Sequence, residues 1–457
     1  MSSAATSPFD VRGVIEGFYG NPYTHQQRLE LVDFLADRGM NTFVYGPKDD
    51  PLTRARWRDP YDGEALGRLS ELVDRCRERD VRLMYCVSPG LSMRYSSPGD
   101  MDALVAKLAS VAGLGVRAFG LLLDDIPMDL QHAEDRTAFA DLVEAHAAVI
   151  RAVVDRLGPG KQLAVCPTVY WGRGDEAFIA RLAAAIPGGV DLFWTGRAIC
   201  SPTLDLDDAR RFEATAGRPP LYWDNYPVND VVMTFELHIG PYLGRDPRLA
   251  EGSRGIIANP MELFEASKIP LATIADYLRD PDAYDPEASW EAAILAVAGQ
   301  ADAAAFAVFA DNVRSSCLSA GDAPAVGTAL ESFAFRLDRG EGRAAAAELA
   351  ALADRLLAAA HHLLRGPVWN TALVDDCRPW IEAFELGAQA IRRIAVLAAE
   401  DRLDVDVRTE LIPHLARLRR ARVRVFGDAL DMALADLTGT HVRPGRMLEL
   451  EQGGDSA

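Results

Sequence analysis

The 457-residue sequence predicts an α/β fold, a closed (β/α)8 TIM barrel followed by a C-terminal α-helical bundle domain. Three observations carry this expectation. Eight short β-rich runs recur down the first part of the chain at spacings of roughly 30 to 45 residues, the length of a strand–helix–strand unit. The runs are apolar on both faces and alternate with amphipathic stretches, the pattern of a parallel sheet covered by helices. From Ser289 onward strand-like text stops and alanine-rich helical text takes over. Eight units within about 280 residues suit a closed barrel, whose usual size is ~250 residues. An open doubly wound sheet is the alternative. Against it, the first strand–helix turn, "EGFYGNPYT", is not a GxGxxG phosphate loop.

In order, the strands are "VRGVIEG" from Val11, "NTFVYGPK" from Asn41, "VRLMYCVSPG" from Val81 and "AFGLLLDD" from Ala118. Then follow "QLAVCPTVY" from Gln162, "VDLFWTG" from Val190, "PLYWDNYP" from Pro220 and "GIIANP" from Gly255. Among the intervening helices, "THQQRLELVDFLADRG" is the clearest. Thr24 and Gln27 have capping-box spacing; Leu29, Val32, Phe34 and Leu35 form an apolar face; Gly39 stands where a left-handed C-terminal residue belongs. Past Ser289, apolar residues recur at three- and four-residue steps, as in Leu411, Leu415 and Leu418, which predicts a bundle of four or five helices. The expected division is a barrel over 8–285, a helical domain over 286–435 and a flexible tail over 436–457.

Composition excludes several classes of function. With 48 basic and 67 acidic residues the net charge is −19, which argues against nucleic acid or an anionic membrane as partner. No run of 18 or more apolar residues occurs. The N-terminus lacks a charged segment followed by an apolar one, so no signal peptide is expected. Six cysteines without CxxC spacing read as free, buried thiols of a reducing compartment, and the cytoplasm is the expected location. Only Lys48, Lys107, Lys161 and Lys268 are lysines, so a lysine at a strand end stands out.

In a parallel barrel, functional groups come from the C-terminal ends of the strands. Strand one ends in Gly17, Phe18, Tyr19 and Gly20, strand two in Lys48, Asp49 and Asp50, strand four in Asp124 and Asp125. Strand five ends in Thr168 and Tyr170, and strand six in Trp194, Thr195 and Gly196. Strand seven ends in Trp223, Asp224, Asn225, Tyr226, Asn229 and Asp230, and strand eight in Asn259. Rings for apolar faces, with carboxylates and amides for hydroxyls, suit a sugar. A phosphate would call for several arginines or a glycine-rich nest.

The Asp124–Asp125 pair ends strand four, where neighbouring side chains diverge and can bracket one substrate. Two close carboxylates also separate their pKa values, which leaves one ionised and one able to hold a proton, as glycoside hydrolysis requires. The plain alternative is that one of the two caps the following helix, with Pro127 near its first turn. Trp194 and Trp223 could each equally be core, where tryptophan usually lies. Asp49, Asp50, Asp124, Asp125 and Asp224 could ring a divalent cation, but no histidine stands at these strand ends and Lys48 would repel the ion, so neither a metal nor a cofactor is expected.

Seven motifs in order, "RGVIEGFYGNPYT", "YGPKDDP", "LLLDDIP", "CPTVYWG", "FWTG", "YWDNYPVND" and "ANPMELFEASKIPLATIADYL", resemble the catalytic domain of glycoside hydrolase family 84, the O-GlcNAcase-like β-N-acetylglucosaminidases. The resemblance implies a retaining, substrate-assisted mechanism in which the 2-acetamido oxygen of a terminal β-GlcNAc is the nucleophile and an oxazoline forms, an exception to the usual enzyme nucleophile. By that resemblance Asp124 would polarise the acetamido N–H, and Asp125 would protonate the leaving oxygen and then deprotonate water. Gly17 by its backbone, Lys48, Asp230 and Asn259 would hold the sugar hydroxyls. Asn225 and Tyr170 would steady the acetamido group, with Trp223 and Thr195 lining its pocket. The expected partner is a glycan or glycoprotein bearing β-GlcNAc, and the helical region is a candidate surface for a homodimer. Two other readings are an endo-acting, hyaluronidase-like hydrolase of N-acetylated polysaccharide and a catalytically dead carbohydrate-binding barrel. The two acids speak against the second.

Overall fold

The structure, a computed structural model, describes residues 7–439 apart from 320, 322 and 428, and side chains 404–406 are also outside the description. Of the expected tail, residues 440–457 lie outside the described residues. Eight parallel strands close into a barrel in chain order. They are β1 Val11–Glu16, β2 Thr42–Tyr45, β3 Arg82–Val87, β4 Ala118–Leu122, β5 Gln162–Cys166, β6 Val190–Trp194, β7 Leu221–Pro227 and β8 Gly255–Asn259. Each falls on an expected run. Pairing sets Val14 of β1 beside Phe43 of β2, and the barrel shuts where Gly13 meets Ile257 of β8.

Strand alternation sends every second residue inward. Ile15, Val44, Met84, Leu122, Phe193, Trp223 and Ile257 fill the interior together with Cys86 and Cys166, so the barrel is a packed core and not a pore. Cys76, Cys86, Cys166 and Cys377 are free and buried. The helix His25–Asp37 carries the expected capping box: Gln27 N–H donates to Thr24 Oγ1 at 3.2 Å and Thr24 N–H to Gln27 Oε1 at 2.8 Å. Gly39 has φ +75°, as a left-handed terminus demands. The buried face is Leu29, Leu31, Val32 and Leu35, so Leu31 takes the place expected of Phe34. Phe34 is only half-buried and lies beneath the Arg38 guanidinium, 5.6 Å from its ring centroid.

The chain forms two compact units. One holds the residues up to Asp230 with Tyr242–Phe264 and Ile274–Tyr284; the other holds Val231–Pro241, Glu265–Thr273 and the residues from Asp285 on. Among the described residues, the second unit has seven helices after Asp285, more than the four or five expected: Pro286–Ala298, Ala303–Ala310, Pro324–Asp338, Gly342–Arg365, Thr371–Ala399, Leu403–Ala421 and Ala429–Thr438. Alanine-rich text reads as continuous helix, and the breaks are backbone events. Gly299 at φ +85° separates the first two helices, and Arg422 at φ +58° ends the sixth. The two longest helices pack against each other. Phe309, Phe384 and Phe426 build an aromatic column with ring centroids 5.7 and 5.4 Å apart. Among the described residues no helix is long and apolar enough to cross a membrane.

Candidate active site

Alternation along β4 points Leu122 into the barrel and therefore also Asp124, two residues on. Asp124 is 7% exposed and receives a hydrogen bond on Oδ2 from Lys48 Nζ, which follows β2 and is 5% exposed. Its other oxygen, Oδ1, is buried with no hydrogen-bond partner among the described residues. On a straight strand Asp125 would point away from the mouth. It adopts φ +53° instead, a left-handed conformation that aspartate tolerates better than most residues. This twist re-aims the side chain to the rim, where Tyr19 OH donates to Oδ2 at 2.8 Å and Tyr170 OH to Oδ1 at 2.9 Å. Lys48 Nζ stands 3.6 Å from Asp125 Oδ2 and so lies between the two carboxylates. Neither aspartate caps a helix: the next one starts at Ala133, past His132.

The environments differ as their partners do. Burial pushes the Asp125 carboxyl up, but Lys48, the two phenol donors and Arg54 outweigh it and hold the group below the usual carboxylate range. In this arrangement Asp125 favours its ionised form, although proton donation was expected of it. The Lys48 ammonium is drawn down by burial and raised further by Asp124, Tyr19 and Asp125, so it stays protonated. Burial pushes the Tyr19 hydroxyl up to about 12, and it pushes that of Tyr170 up as well, so both are donors at neutral pH.

The loop after β1 hangs on four carboxylates. Tyr19 N–H donates to Asp230 Oδ2 at 2.7 Å, Gly20 N–H to Asp49 at 3.0 Å, Asn21 N–H to Glu262 at 2.8 Å and Tyr23 N–H to Glu16 at 3.0 Å. Glu16 is itself fully buried; burial raises its pKa against the pull of Arg28, whose Nε reaches it at 2.7 Å. Asp230 is raised by burial, partly offset by the Tyr19 N–H. Gly17 starts this loop under close constraint. A Cβ there would sit 2.6 Å from Trp223 Cζ2, so only glycine lets the backbone lie against that ring.

The remaining expected residues gather at β5 to β8. On β7, Trp223 and Asn225 share the inward face, and Trp223 Nε1 donates to Asn225 Oδ1 at 2.9 Å. Asn259 Nδ2 donates to the same oxygen at 3.0 Å, while Asn259 Oδ1 is buried without a hydrogen-bond partner among the described residues. Asn225 Nδ2 donates to Ile199 O at 2.8 Å. Thr195 is buried and its hydroxyl donates to Ala198 O at 2.7 Å, while its N–H donates to Tyr170 O at 2.8 Å; it fixes the loop carrying Tyr170. All ten candidate residues thus stand at strand ends of one barrel mouth.

Several neighbours in sequence do not join them. Asp224, between Trp223 and Asn225, faces outward and is bonded to Arg245 Nη2 at 2.6 Å and to Tyr242 OH at 2.5 Å. Trp194 is fully buried behind the barrel wall, stacked on Phe212 with centroids 5.1 Å apart. Both tryptophans are buried, and of the two only Trp223 faces the barrel interior and reaches the mouth. Asp49 and Asp50 serve the scaffold, Asp50 accepting from Tyr45 OH at 2.8 Å. Among the described residues no cluster of three or more His, Cys, Asp or Glu could hold a metal ion.

A family model described as beta-N-acetylglucosaminidase matches residues 12–311. The chain belongs to this family, glycoside hydrolase family 84. The protein O-GlcNAcases of Rattus norvegicus and Mus musculus are each 32% identical over 273 residues, which cover 58% of this chain and 30% of theirs. The chain thus matches less than a third of the length of these curated relatives. Among solved structures, a mutant of the Thermobaculum terrenum O-GlcNAc hydrolase superimposes with a TM-score of 0.90 at 32% identity, covering 94% of this chain and 95% of that one. CpGH84B gives a TM-score of 0.81 at 27% identity, covering 94% and 77%.

Tyr19, Arg54, Asp49 and Glu262 support the candidate site, although the sequence assigned them no role in it. Tyr19 and Asp49 stand at strand ends and were legible as rim residues. Arg54 lies six positions past Lys48 in a loop, with nothing local to mark it. Glu262 joins through Asn21, from whose backbone and side-chain amides it accepts.

Proposed function

We propose that the chain is a retaining exo-β-N-acetylglucosaminidase that removes terminal β-linked GlcNAc, including O-GlcNAc on proteins, with the substrate's acetamido group as nucleophile. The observation that carries this is Asp124: a buried carboxylate with one oxygen on Lys48 and the other oxygen unpartnered among the described residues, beside a second acid. In the first step the acetamido oxygen attacks C1 while the bond from C1 to the leaving oxygen breaks. Asp124 accepts the acetamido N–H and, as an anion, stabilises the positive charge of the forming oxazolinium ring. Asp125 gives its proton to the leaving oxygen. In the second step Asp125 takes a proton from water, the water oxygen bonds to C1, and the ring reopens with net retention. Tyr170 and Asn225 hold the acetamido group over Trp223 and Thr195. Lys48, Asp230, Asn259 and the Gly17 backbone take the hydroxyls.

The ionised state favoured by Asp125 without substrate fits this scheme if the leaving-group oxygen, once bound, replaces phenol donors and excludes water, both of which raise a carboxyl pKa. The test is hydrolysis of an aryl β-GlcNAc beside an aryl β-glucoside. Only the first should react, because the second lacks the internal nucleophile; equal turnover of both would overturn the reading. Asp125→Asn should lose far more activity on a poor leaving group than on an activated aryl one, and equal losses would remove its role as acid. The buried thiols Cys76, Cys86, Cys166 and Cys377 support a cytoplasmic location, which fractionation of the host cell checks. Phe335 and Trp369, 62% and 70% exposed on the helical unit, support a homodimer; light scattering at monomer mass across concentrations would exclude it.

A further inference from the structure

Arg54 lies in the loop after β2 and is half-buried. Its Nη2 donates to Tyr19 OH at 3.1 Å, and its guanidinium carbon lies 5.2 Å from the Tyr19 ring centroid. The same ring carries Lys48 Nζ at 5.6 Å. A phenol oxygen that receives a hydrogen bond from a guanidinium directs its own proton elsewhere, and here that proton goes to Asp125 Oδ2 at 2.8 Å. The main chain of Tyr19 is held separately, by Asp230. The loop therefore fixes where the residue is, and Arg54 fixes where its hydroxyl points. No ion pair between Arg54 and a carboxylate is formed among the described residues, and its charge is directed at the Tyr19–Asp125 pair.

We propose that Arg54 is a positioning residue for the proposed reaction: it aims the Tyr19 phenol at Asp125 in the free enzyme and so sets how readily that enzyme gives up or keeps the proton that Asp125 delivers. This rests on the reading of Asp125 as the proton carrier. The charged and titratable groups facing Asp125 are Tyr19 after β1, Lys48 and Arg54 after β2, Asp124 beside it, Tyr170 after β5 and Asp230 after β7. Removing Arg54 deletes one cation from this set and frees the phenol to rotate. Both changes weaken the hold on the anion, so Asp125 keeps its proton to higher pH.

The measurement is the pH profile of kcat/KM on an aryl β-GlcNAc, whose basic limb reports the acid of the free enzyme; because the two aspartates interact, that limb belongs to the pair. Arg54→Gln should move the basic limb upward by ~0.5–1 pH unit, the size expected for one nearby screened charge. Arg54→Lys, which keeps charge but not the planar fork, should move it by less. In a Tyr19→Phe background, Arg54→Gln should move the limb by less than in the wild type, since only its direct charge effect on Asp125 remains. A limb that stays in place in Arg54→Gln, or shifts fully additive with Tyr19→Phe, would overturn the inference. If instead Asp125→Asn leaves the wild-type basic limb unchanged, it is the assignment of Asp125 that fails, and the two failures are told apart. A general loss of folding would lower kcat at every pH without moving the limb, and that outcome also counts against the proposal.

Discussion

Replacing Asp124 with asparagine keeps the shape of the side chain and removes its charge, and the structure allows the two consequences to be sized separately. On the stability side, Lys48 is 5% exposed and its ammonium would be left with an amide oxygen in place of a carboxylate. Removing one partner of a buried ion pair costs ~3–5 kcal/mol, and a retained neutral hydrogen bond recovers ~1 kcal/mol of that. A loss of about 2–4 kcal/mol is expected, within the ~5–15 kcal/mol stability of an ordinary domain, so the variant should still fold. On the catalytic side, an anion ~4 Å from a developing positive charge is worth about 4 kcal/mol at an effective dielectric constant near 20. That corresponds to ~10³ in rate. Asp124→Asn should therefore be folded by circular dichroism, melt earlier, and lose ~10²–10⁴ in kcat on both activated and poor leaving groups, because ring closure precedes either departure. A folded Asp124→Asn enzyme with kcat within about tenfold of wild type would refute the proposed role, since at these magnitudes a buried anion placed against the reacting amide could not be idle.

Other expectations follow from single contacts. Gly17→Ala places a methyl 2.6 Å from Trp223 Cζ2, so steady-state kinetics should show a loss of tenfold or more in kcat/KM, with a stability cost of ~1–3 kcal/mol typical of overpacking. Trp194→Ala should cost ~3–5 kcal/mol in denaturant unfolding, whereas Trp223→Phe should act mainly on KM, since only the second ring lines the mouth. In the helical unit, burial lifts the Asp376 carboxyl to about 6, although the Glu265 and Ala266 N–H groups it accepts pull it down. Its folded pKa lies above its unfolded one, so deprotonation disfavours the fold and stability falls as pH rises between the usual carboxylate range and about 6. Asp376→Asn should flatten that segment of the stability–pH curve; an unchanged slope would contradict the assignment.

The barrel was legible because its signal is periodic and repeated. Eight apolar runs at unit spacing leave few folds, and each run's last residues are rim residues by topology alone. The capping box at Thr24 and the turn glycine Gly39 are local codes and were read for the same reason. What sequence could not give is the second dimension of the site. Asp224 and Trp194 stand at strand ends like Trp223 and Asn225, yet they face outward, Trp194 onto a helix and Asp224 onto the loop before β8, because period two sends alternate residues outward and a run of apolar and polar residues on both faces does not say which is which. Arg54 comes from a loop, where no period operates, and its partner Tyr19 is 35 residues away. In the helical unit, alanine-rich text concealed breaks at Gly299 and Arg422 that depend on backbone sign, which composition does not record.

Two adjacent carboxylates at the edge of a core repel each other, and the structure supplies opposite remedies for them. Asp124 is taken into the barrel, where a lysine compensates it and the surrounding low polarity strengthens any charge it meets. Asp125 is thrown to the rim by a left-handed backbone turn, stays 32% exposed at its side chain, and is satisfied by two phenols that can be displaced. A lysine on a buried acid is a fixed contact, because breaking it leaves a bare charge. A phenol on a half-exposed acid is an exchangeable one, because an incoming oxygen or water can take its place at small cost. An acid that must remain charged through a reaction needs the first environment, and an acid that must pass a proton back and forth needs the second. The residues Gly17, Tyr19 and Asp230 that hold the first loop, and Thr195 that holds the fifth, keep those phenols in reach. In the proposed reaction, the division of labour between these neighbours in sequence would originate in one backbone angle at Asp125 and one lysine after β2, and losing either should affect the two aspartates unequally.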